Sequence, residues 1–255
     1  YPLFEVFMDS PIYKEFDKES LPSNFVNIPI IPSFNPIEFT LPSAVCDSII
    51  ATMSTFGASS QYDVGVNGIS ENDYGKGSVR ITNYDVDFAK SLTADLSPFI
   101  DPVLKLNKYS PVDWQSQNEG EYNVWAFEGV SPVFRYMKYS KDSEHFPHYD
   151  APFIIKEDPY IRTLMSGVLY LTTNKSGATA FVNDSQEQLP FSERNTSDWT
   201  SQATHEQILS WSLPQKGKII LFPQQACHTV LPLLEDEDRI IIRFDLFYTA
   251  IRRED

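Results

Sequence analysis

The chain of 255 residues has little cysteine and little histidine, with two and four residues respectively. The cysteines, Cys46 and Cys227, lie far apart and form no CxxC pair, so nothing in their spacing indicates a zinc site or a redox couple. Their use favours a reduced compartment, and we expect a cytoplasmic protein. Apolar runs are short as well. None approaches the ~18 residues of a membrane span, so no membrane partner is expected.

Positive charge is also scarce. The formal net charge is −15, and no cluster of lysine and arginine offsets it locally. A surface of this sign repels phosphate backbones and anionic lipid headgroups, which excludes nucleic acid as an expected partner. Hydrophobic residues make up 42% of the chain and aromatic residues 14%, which is ample for one core. We therefore expect a single globular domain over residues 1–255.

The first half of the chain divides into an arm and a helical region. Residues 1–41 carry six prolines and isolated aromatics, a composition that predicts an extended arm packed on a core. Residues 42–122 form the predicted helical support region. Apolar residues at intervals of three and four predict one helix over 43–56, and a second begins near Asp85 and ends before Pro102.

From residue 123 onward, the sequence consists of short runs of β-branched and aromatic residues separated by turn-forming residues. At least six strands are predicted over residues 123–250, at a spacing typical of an antiparallel sandwich or barrel. The six runs are NVWAFEG, PVFRYMKYS, TLMSGVLYLTT, TAFVND, KGKIILFP and RIIIRFDLFYTA. A polar insert at 184–212, with Trp199 and Trp211, is long enough to be functional. We expect it to form a lid at which Trp211 contacts substrate; alternatively, it covers a sheet edge.

The stretch HFPHYD, residues 145–150, is the strongest candidate for chemistry. His148 and Asp150 are two positions apart, so on a strand end their side chains point to the same face. A third metal ligand must come from elsewhere, and His228, which follows the apolar run IILFP, is favoured over His205 in the polar insert. Two histidines and one carboxylate leave three coordination positions open, the pattern of non-heme Fe(II) oxygenases. A His-x-Asp pair alone is weak evidence.

An arginine nearby strengthens this interpretation. Arg239 stands eleven positions after His228, at the start of a long apolar run. Its guanidinium can bind a dicarboxylate cosubstrate with two parallel hydrogen bonds. The alternative is an ion pair with the adjacent acidic turn, 235–238. Arg243 shares the parity of Arg239, so both are expected to face inward, and Arg243 is the second candidate anchor.

Three segments, in order, resemble the prolyl-4-hydroxylase-like branch of the 2-oxoglutarate- and Fe(II)-dependent dioxygenases. PVFRYMKYSKDSEHFPHYD resembles the strand that ends in the first metal His and Asp, with Tyr139 nine residues before His148. RTLMSGVLYLTTNKSGATAF is similar to the next strand and its Gly-Gly-x-T-x-F turn, although Ser176 replaces one glycine. KGKIILFPQQACHTVLPLLEDEDRIIIRFDLFY resembles the segment with the second His and the basic anchor, where many members have lysine. The resemblance covers about residues 123–248.

The resemblance implies a mainly β protein with flanking helices and a double-stranded β-helix core of the jelly-roll or cupin-like kind. Fe(II) would be held by His148, Asp150 and His228, with no catalytic residue beyond the metal centre. 2-Oxoglutarate would bind Arg239, with O₂ as co-substrate and ascorbate as an optional addition. The implied activity is hydroxylation of an unactivated C–H bond, and the expected substrate is a prolyl or other amino-acid residue of a peptide or protein.

For some side chains, and for the substrate, the sequence allows more than one role. Tyr139 and Tyr170 are expected to contact 2-oxoglutarate, or else to be buried barrel residues with satisfied hydroxyls. Arg135 and Arg243 are weaker candidates for substrate contacts, and a structural ion pair is the alternative for Arg135. The substrate is alternatively a free amino acid or a small metabolite. Two different classes also compete: a zinc hydrolase, and a non-catalytic cupin-like module that binds a metal or ligand.

Overall fold

The computed structural model describes residues 37–55, 79–105, 124–155, 160–186, 189, 193–224 and 226–251. Most of the predicted arm, 1–36, and the end of the first predicted helix lie outside these residues. The described part contains two α-helices, α1 (Ser43–Thr55) and α2 (Val86–Leu96), and strands β1 (Ile37–Thr40), β2 (Val79–Tyr84), β3 (Val103–Lys105), β4 (Val124–Val130), β5 (Val133–Tyr139), β6 (His145–His148), β7 (Ile161–Tyr170), β8 (Thr179–Val182), β9 (Ile208–Ser212), β10 (Lys218–Pro223), β11 (His228–Val230) and β12 (Arg239–Ala250).

The larger sheet is antiparallel and is organised around β12. Strands β1, β10, β7 and β12 are adjacent in that order. The other edge of β12 pairs with β5 through residues 239–243 and with β4 through residues 246–250. Strand β2 then pairs with β5, and β3 with β4. One twelve-residue strand thus spans the whole sheet and carries both predicted arginines on its inner side.

The smaller sheet has the order β6-β11-β8-β9 and faces the larger one. One apolar cluster contains residues of both sheets and therefore fills the space between them; it includes Tyr139, Tyr170, Phe181, Val230 and Ile241. Two facing antiparallel sheets of this topology form a double-stranded β-helix, which confirms the predicted fold class. The metal candidates lie at one end of this barrel, where β6 ends and β11 begins.

The helices cover the outer face of the larger sheet. Asp85 caps α2 by accepting a hydrogen bond from the backbone N–H of Phe88 at 2.9 Å. Ala89, Leu92 and Leu96 follow at helical spacing, and all three are buried against the sheet. On β12 the even-numbered residues, from Ile242 to Tyr248, point to this helical side. The odd-numbered residues consequently point between the sheets.

Both predicted helices are observed, and all six predicted strands are present. The region 42–122 is not purely helical, however, because it contributes β2 and β3 as well. These two strands have six and three residues, and they gain their partners from β4 and β5, which come later in the chain. Residues 37–40, the end of the predicted arm, form an edge strand on β10.

No helix within the described ranges is long and apolar enough to cross a membrane. Both cysteines are buried.

Candidate metal and dicarboxylate site

The structure brings together the three side chains that the sequence proposed as metal ligands. His148 ends β6 and His228 begins β11, and the two residues are paired directly across these antiparallel strands, with ring centroids 4.3 Å apart. Asp150 follows His148 by two residues, and its backbone N–H donates to the carbonyl of Gln224 at 3.1 Å. One ligand atom from each residue lies within 4.8 Å of the others. His205 lies in a short 3₁₀ helix and is exposed.

Backbone carbonyls fix the tautomers of both histidines. The Nδ1 atom of His148 lies 2.8 Å from the carbonyl oxygen of Phe146, and that of His228 lies 2.9 Å from the carbonyl of Ala226. A carbonyl oxygen can only accept, so each Nδ1 must carry the hydrogen. In a neutral ring this leaves the Nε2 lone pair free, which is the form that binds a metal.

Electrostatics keep these groups in metal-binding protonation states. Burial, together with the neighbouring His145 and His228, holds the pKa of His148 well below its ordinary value. Burial also lowers the pKa of His228. For Asp150, burial alone would raise the pKa, but the attraction of Arg243 and of the two histidines outweighs it and leaves the pKa far below the usual range. Two neutral imidazoles and one carboxylate are the donor set that suits Fe(II).

Arg239 lies inside the barrel with most of its hydrogen-bonding capacity unused. The residue is 0% exposed. Its Nη2 donates to Thr179 Oγ1 at 3.0 Å, whereas its Nε and Nη1 are buried and have no hydrogen-bond partner among the described residues. The predicted alternative, an ion pair with the acidic turn 235–238, is not among the salt bridges of the described residues. A buried guanidinium with two unpartnered nitrogens is a site for an anion, because leaving such donors unpaired is costly.

Two tyrosines and a glycine surround this guanidinium. Its carbon atom Cζ stands 4.6 Å above the ring of Tyr139 and 5.4 Å from that of Tyr170. The hydroxyl of Tyr170 is partnered by Thr179 Oγ1 at 2.8 Å, so Tyr170 matches the alternative of a satisfied barrel residue. In the described part of the chain, the Tyr139 hydroxyl makes one weak contact, 4.0 Å to the sulfur of Met137. Gly177, in the predicted glycine turn, has φ +67°, and a Cβ there would lie 3.2 Å from Arg239 Cδ.

Arg243 and Arg135 have other partners than those predicted. Arg243 faces inward, as its parity indicated, but its Nη2 lies 3.0 Å from Asp150 Oδ1 and 2.9 Å from Asp245 Oδ1. Arg135 is paired with Asp245 at 2.7 Å. The substrate contact proposed for Arg135 is thus replaced by the structural ion pair, because β5 and β12 place the two arginines directly opposite each other with Asp245 in reach.

Trp211 and the insert occupy the outer side of the smaller sheet. Phe181 points inward, so Ala180 points outward, and Trp211 is paired with Ala180. Trp211 is accordingly 62% exposed and lies on the face opposite the barrel interior, and the substrate contact proposed for it stays a prediction.

The rest of the insert also differs from the predicted lid. Gln202 donates to the carbonyl of Val230 at 3.1 Å, and Trp199 packs edge-on against Tyr149 with ring centroids 5.6 Å apart. Tyr149 lies between His148 and Asp150 and therefore points to the outer face. Residues 208–212 add the edge strand β9. The described part of the insert thus covers the outer face and edge of the sheet, the alternative given for it.

Sequence reasoning missed four polar residues around the site: Ser166, Thr179, Gln224 and Asp245. Two of them carried a signal. Ser166 has the parity of Tyr170 on β7, and Asp245 has the parity of Arg239 on β12. Gln224 follows the end of β10 and had no such signal.

The family model described as putative 2OG-Fe(II) oxygenase matches residues 161–245, which carry β7 through most of β12. None of the curated proteins compared with the chain matches it. Among solved structures, viral collagen prolyl hydroxylase vCPH from Paramecium Bursaria Chlorella virus-1 is 14% identical, covers 84% of this chain and 96% of its own, and has a TM-score of 0.45. HygX from Streptomyces hygroscopicus, with nickel and 2-oxoglutarate bound, is 13% identical, with coverages of 84% and 82% and a TM-score of 0.47. A prolyl hydroxylase from Trichoplax adhaerens, in complex with a hypoxia inducible factor peptide fragment, is 11% identical, with coverages of 83% and 83% and a TM-score of 0.48.

At these identities and TM-scores, the solved structures carry no information about substrate. The family match and the His-Asp-His cluster both point to an oxygenase that uses Fe(II) and 2-oxoglutarate. The match covers a third of the chain, and over this third the chain is similar to the 2OG-Fe(II) oxygenases. Together with the His-Asp-His cluster, it supports a 2-oxoglutarate-dependent dioxygenase.

Proposed function

We propose that this dioxygenase hydroxylates a prolyl or other amino-acid residue within a peptide or protein. In this proposal, His148, Asp150 and His228 hold Fe(II), and Arg239 binds the distal carboxylate of 2-oxoglutarate. When bound, Fe(II) and 2-oxoglutarate together activate O₂ and release succinate and CO₂. The observation that carries the proposal is the buried guanidinium of Arg239, which lies in the same barrel as the metal cluster and whose Nε and Nη1 have no partner in the part of the chain that the structure describes.

The proposed metal role is supported by the orientation of the ligand side chains before any metal binds. Both imidazoles are oriented by their Nδ1 contacts, so the Nε2 atoms are available without a change of tautomer. Two of the three ligands are buried, with Asp150 8% and His228 5% exposed, and His148 is partly buried. Pre-oriented ligands in a shielded site favour binding of the metal in one geometry and limit access of water to it.

The cosubstrate role rests on the charge and depth of Arg239. A diacid that binds the metal with one end needs a cation deeper in the barrel for its other end. Arg239 supplies this cation, and Tyr139, whose hydroxyl has only the weak contact to Met137 among the described residues, supplies a further donor. Tyr170 supports the guanidinium from the other side through its ring. The aromatic faces attract the cation and keep it in place before the diacid enters.

The substrate class has its support at the mouth of the barrel. Phe153 follows Asp150 by three residues and is 45% exposed, and it packs edge-on against Phe247 with ring centroids 6.0 Å apart. Its backbone N–H donates to Thr163 Oγ1 at 2.8 Å, which holds the residue in place beside β7. An exposed aromatic ring three residues along the chain from a proposed ligand suits the apolar ring of a prolyl residue better than a small charged metabolite.

The test is a screen for succinate formation from 2-oxoglutarate under Fe(II) and O₂. Peptides that contain proline, peptides that contain other residues, free amino acids and small metabolites are compared as primary substrates. We expect stimulation by proline-containing peptides, with a mass increase of one oxygen in the peptide. Stimulation by a free amino acid or a metabolite alone would contradict the peptide proposal.

Matched variants separate the metal role from general effects. His148→Ala and His228→Ala remove proposed ligands and should abolish succinate formation. His205→Ala removes an exposed histidine of the insert and serves as the control. Full activity in either ligand variant would refute the ligand assignment, and a non-catalytic metal-binding module would show metal binding without succinate in every arm.

A further inference from the structure

The two carboxylate oxygens of Asp150 have different surroundings. Oδ2 lies 3.8 Å from Nε2 of His228 and accepts a hydrogen bond from Ser166 Oγ at 2.5 Å. Oδ1 instead lies 3.0 Å from Nη2 of Arg243. The oxygen nearest to the neighbouring ligand atom is therefore Oδ2, whereas Oδ1 is held by a cation. The two oxygens therefore differ in their contacts with the protein alone.

Asp150, Arg243, Asp245 and Arg135 form a row of side chains with alternating charges. Arg243 Nη2 also lies 2.9 Å from Asp245 Oδ1, and Asp245 Oδ2 accepts from Arg135 Nη1 at 2.7 Å. Gln224 Nε2 donates to Asp245 Oδ1 at 2.9 Å, which adds a neutral contact. The side chains of Asp150, Arg243 and Asp245 are 9%, 14% and 4% exposed. Ion pairs this well shielded are weakly screened by salt and restrict the movement of both partners.

These contacts distinguish Arg243 from Arg239. Arg239 has no carboxylate partner among the described residues, and two of its nitrogens are unpartnered. Arg243 already faces two carboxylates through its Nη2, which also donates to Ser166 Oγ at 3.3 Å. An arginine that is already paired with two carboxylates of the protein is poorly suited to bind a carboxylate of 2-oxoglutarate as well. Its strongest effect on the metal cluster is through Asp150, whose carboxylate it contacts directly.

We propose that Arg243 is a positioning residue that restricts Asp150 to binding the metal through Oδ2 alone. The inference rests on the proposed function, because it takes Asp150 as a ligand. To offer both oxygens, the carboxylate would have to rotate away from Arg243 and give up a shielded ion pair. A second bound oxygen would also occupy one of the three coordination positions that 2-oxoglutarate and O₂ require.

The test counts the water molecules that Mn(II), in place of Fe(II), retains on the protein in the absence of 2-oxoglutarate. Line broadening of the Mn(II) electron paramagnetic resonance signal in ¹⁷O-water gives this number. Three single-atom protein ligands on a six-coordinate ion leave about three waters. We expect three for the wild type and two for Arg243→Met, with Mn(II) bound at least as tightly and 2-oxoglutarate bound to the Mn(II) form at least about tenfold more weakly.

Arg135→Met is the matched control. It removes the next cation of the row but leaves the contact between Arg243 and Asp150, so it should retain three waters. If Arg243→Met does not fold, the double variant Arg243→Met with Asp245→Asn removes the cation together with the anion beside it, and two waters are expected there too. Three waters in the folded variant, or weakened Mn(II) binding with no change in water number, would overturn the inference.

The same measurement separates this inference from the proposed function. His148→Ala and His228→Ala should lose Mn(II) binding. If they bind Mn(II) as the wild type does, the metal site itself is wrong. If they lose it while Arg243→Met retains three waters, the metal site stands and the positioning role of Arg243 falls.

Discussion

Replacing Arg239 with methionine should weaken 2-oxoglutarate binding without weakening the fold. Within the described part of the chain, the buried guanidinium makes one hydrogen bond, from Nη2 to Thr179, and its Nε and Nη1 have no partner. Removing the one bond costs about 0.5–1.5 kcal/mol, whereas removing two unsatisfied donors gains roughly 1–3 kcal/mol for each. The apo protein should therefore be as stable as the wild type or more stable, since an apolar side chain of similar length replaces an uncompensated buried charge.

Binding should respond in the opposite direction. A carboxylate at Nε and Nη1 forms two charge-assisted hydrogen bonds, worth about 1.5–3 kcal/mol each. Their loss corresponds to a dissociation constant that is roughly 10²- to 10⁴-fold higher. The assay combines isothermal calorimetry of 2-oxoglutarate with the Mn(II)-loaded protein and thermal unfolding of the apo protein.

Arg194 offers a matched control for this prediction. It is another buried arginine, but its Nε donates to the carbonyl of Leu189 at 2.8 Å and its Nη1 to the hydroxyl of Tyr149 at 2.9 Å. Arg194→Met should therefore lower the melting temperature and leave 2-oxoglutarate binding unchanged. The reasoning would be refuted if Arg239→Met bound 2-oxoglutarate as the wild type does, or if it lost stability as Arg194→Met does.

Three further predictions concern residues around the barrel. Gly177→Ala places a Cβ at φ +67° and 3.2 Å from Arg239 Cδ, so calorimetry should show weaker 2-oxoglutarate binding. The free energy of unfolding should fall by about 1 kcal/mol, which lowers the melting temperature. Unchanged affinity would contradict this prediction. Burial raises the pKa of Glu128, so the wild type loses stability as pH rises through that pKa, and Glu128→Gln should melt at a higher temperature than the wild type at about pH 8 but not at about pH 4; equal melting curves at both pH values would argue against it. Trp211→Ser, on the outer face, should leave succinate formation unchanged, and a marked loss would support the contact of Trp211 with substrate.

The fold and the ligand cluster were readable from the sequence because both depend on regular spacing. The two-residue period of a strand places His148 and Asp150 on one face, and it places Arg239 and Arg243 on the inner side of β12. The pairing of β6 with β11, which brings His228 to His148, is a long-range contact that periodicity does not contain. It was inferred from the position of His228 after an apolar run.

The parts that sequence reasoning missed depend on packing between distant segments. Arg135 and Arg243 look alike as inward-facing cations, and only the position of Asp245 between them decides that they form ion pairs. The insert looked like a lid because it is long and polar. Its course is set instead by single contacts such as that of Gln202 with Val230, which no local pattern reveals.

The central claim is that His148, Asp150 and His228 hold one Fe(II) to which 2-oxoglutarate binds while Arg239 takes its far end. An anaerobic titration of the apo protein with Fe(II) in the presence of 2-oxoglutarate tests this most directly, because the bound pair has a weak visible absorption band. The account predicts a band that saturates at one Fe(II) per chain and is absent in His228→Ala. No band in the wild type, or the same band in His228→Ala, would contradict it.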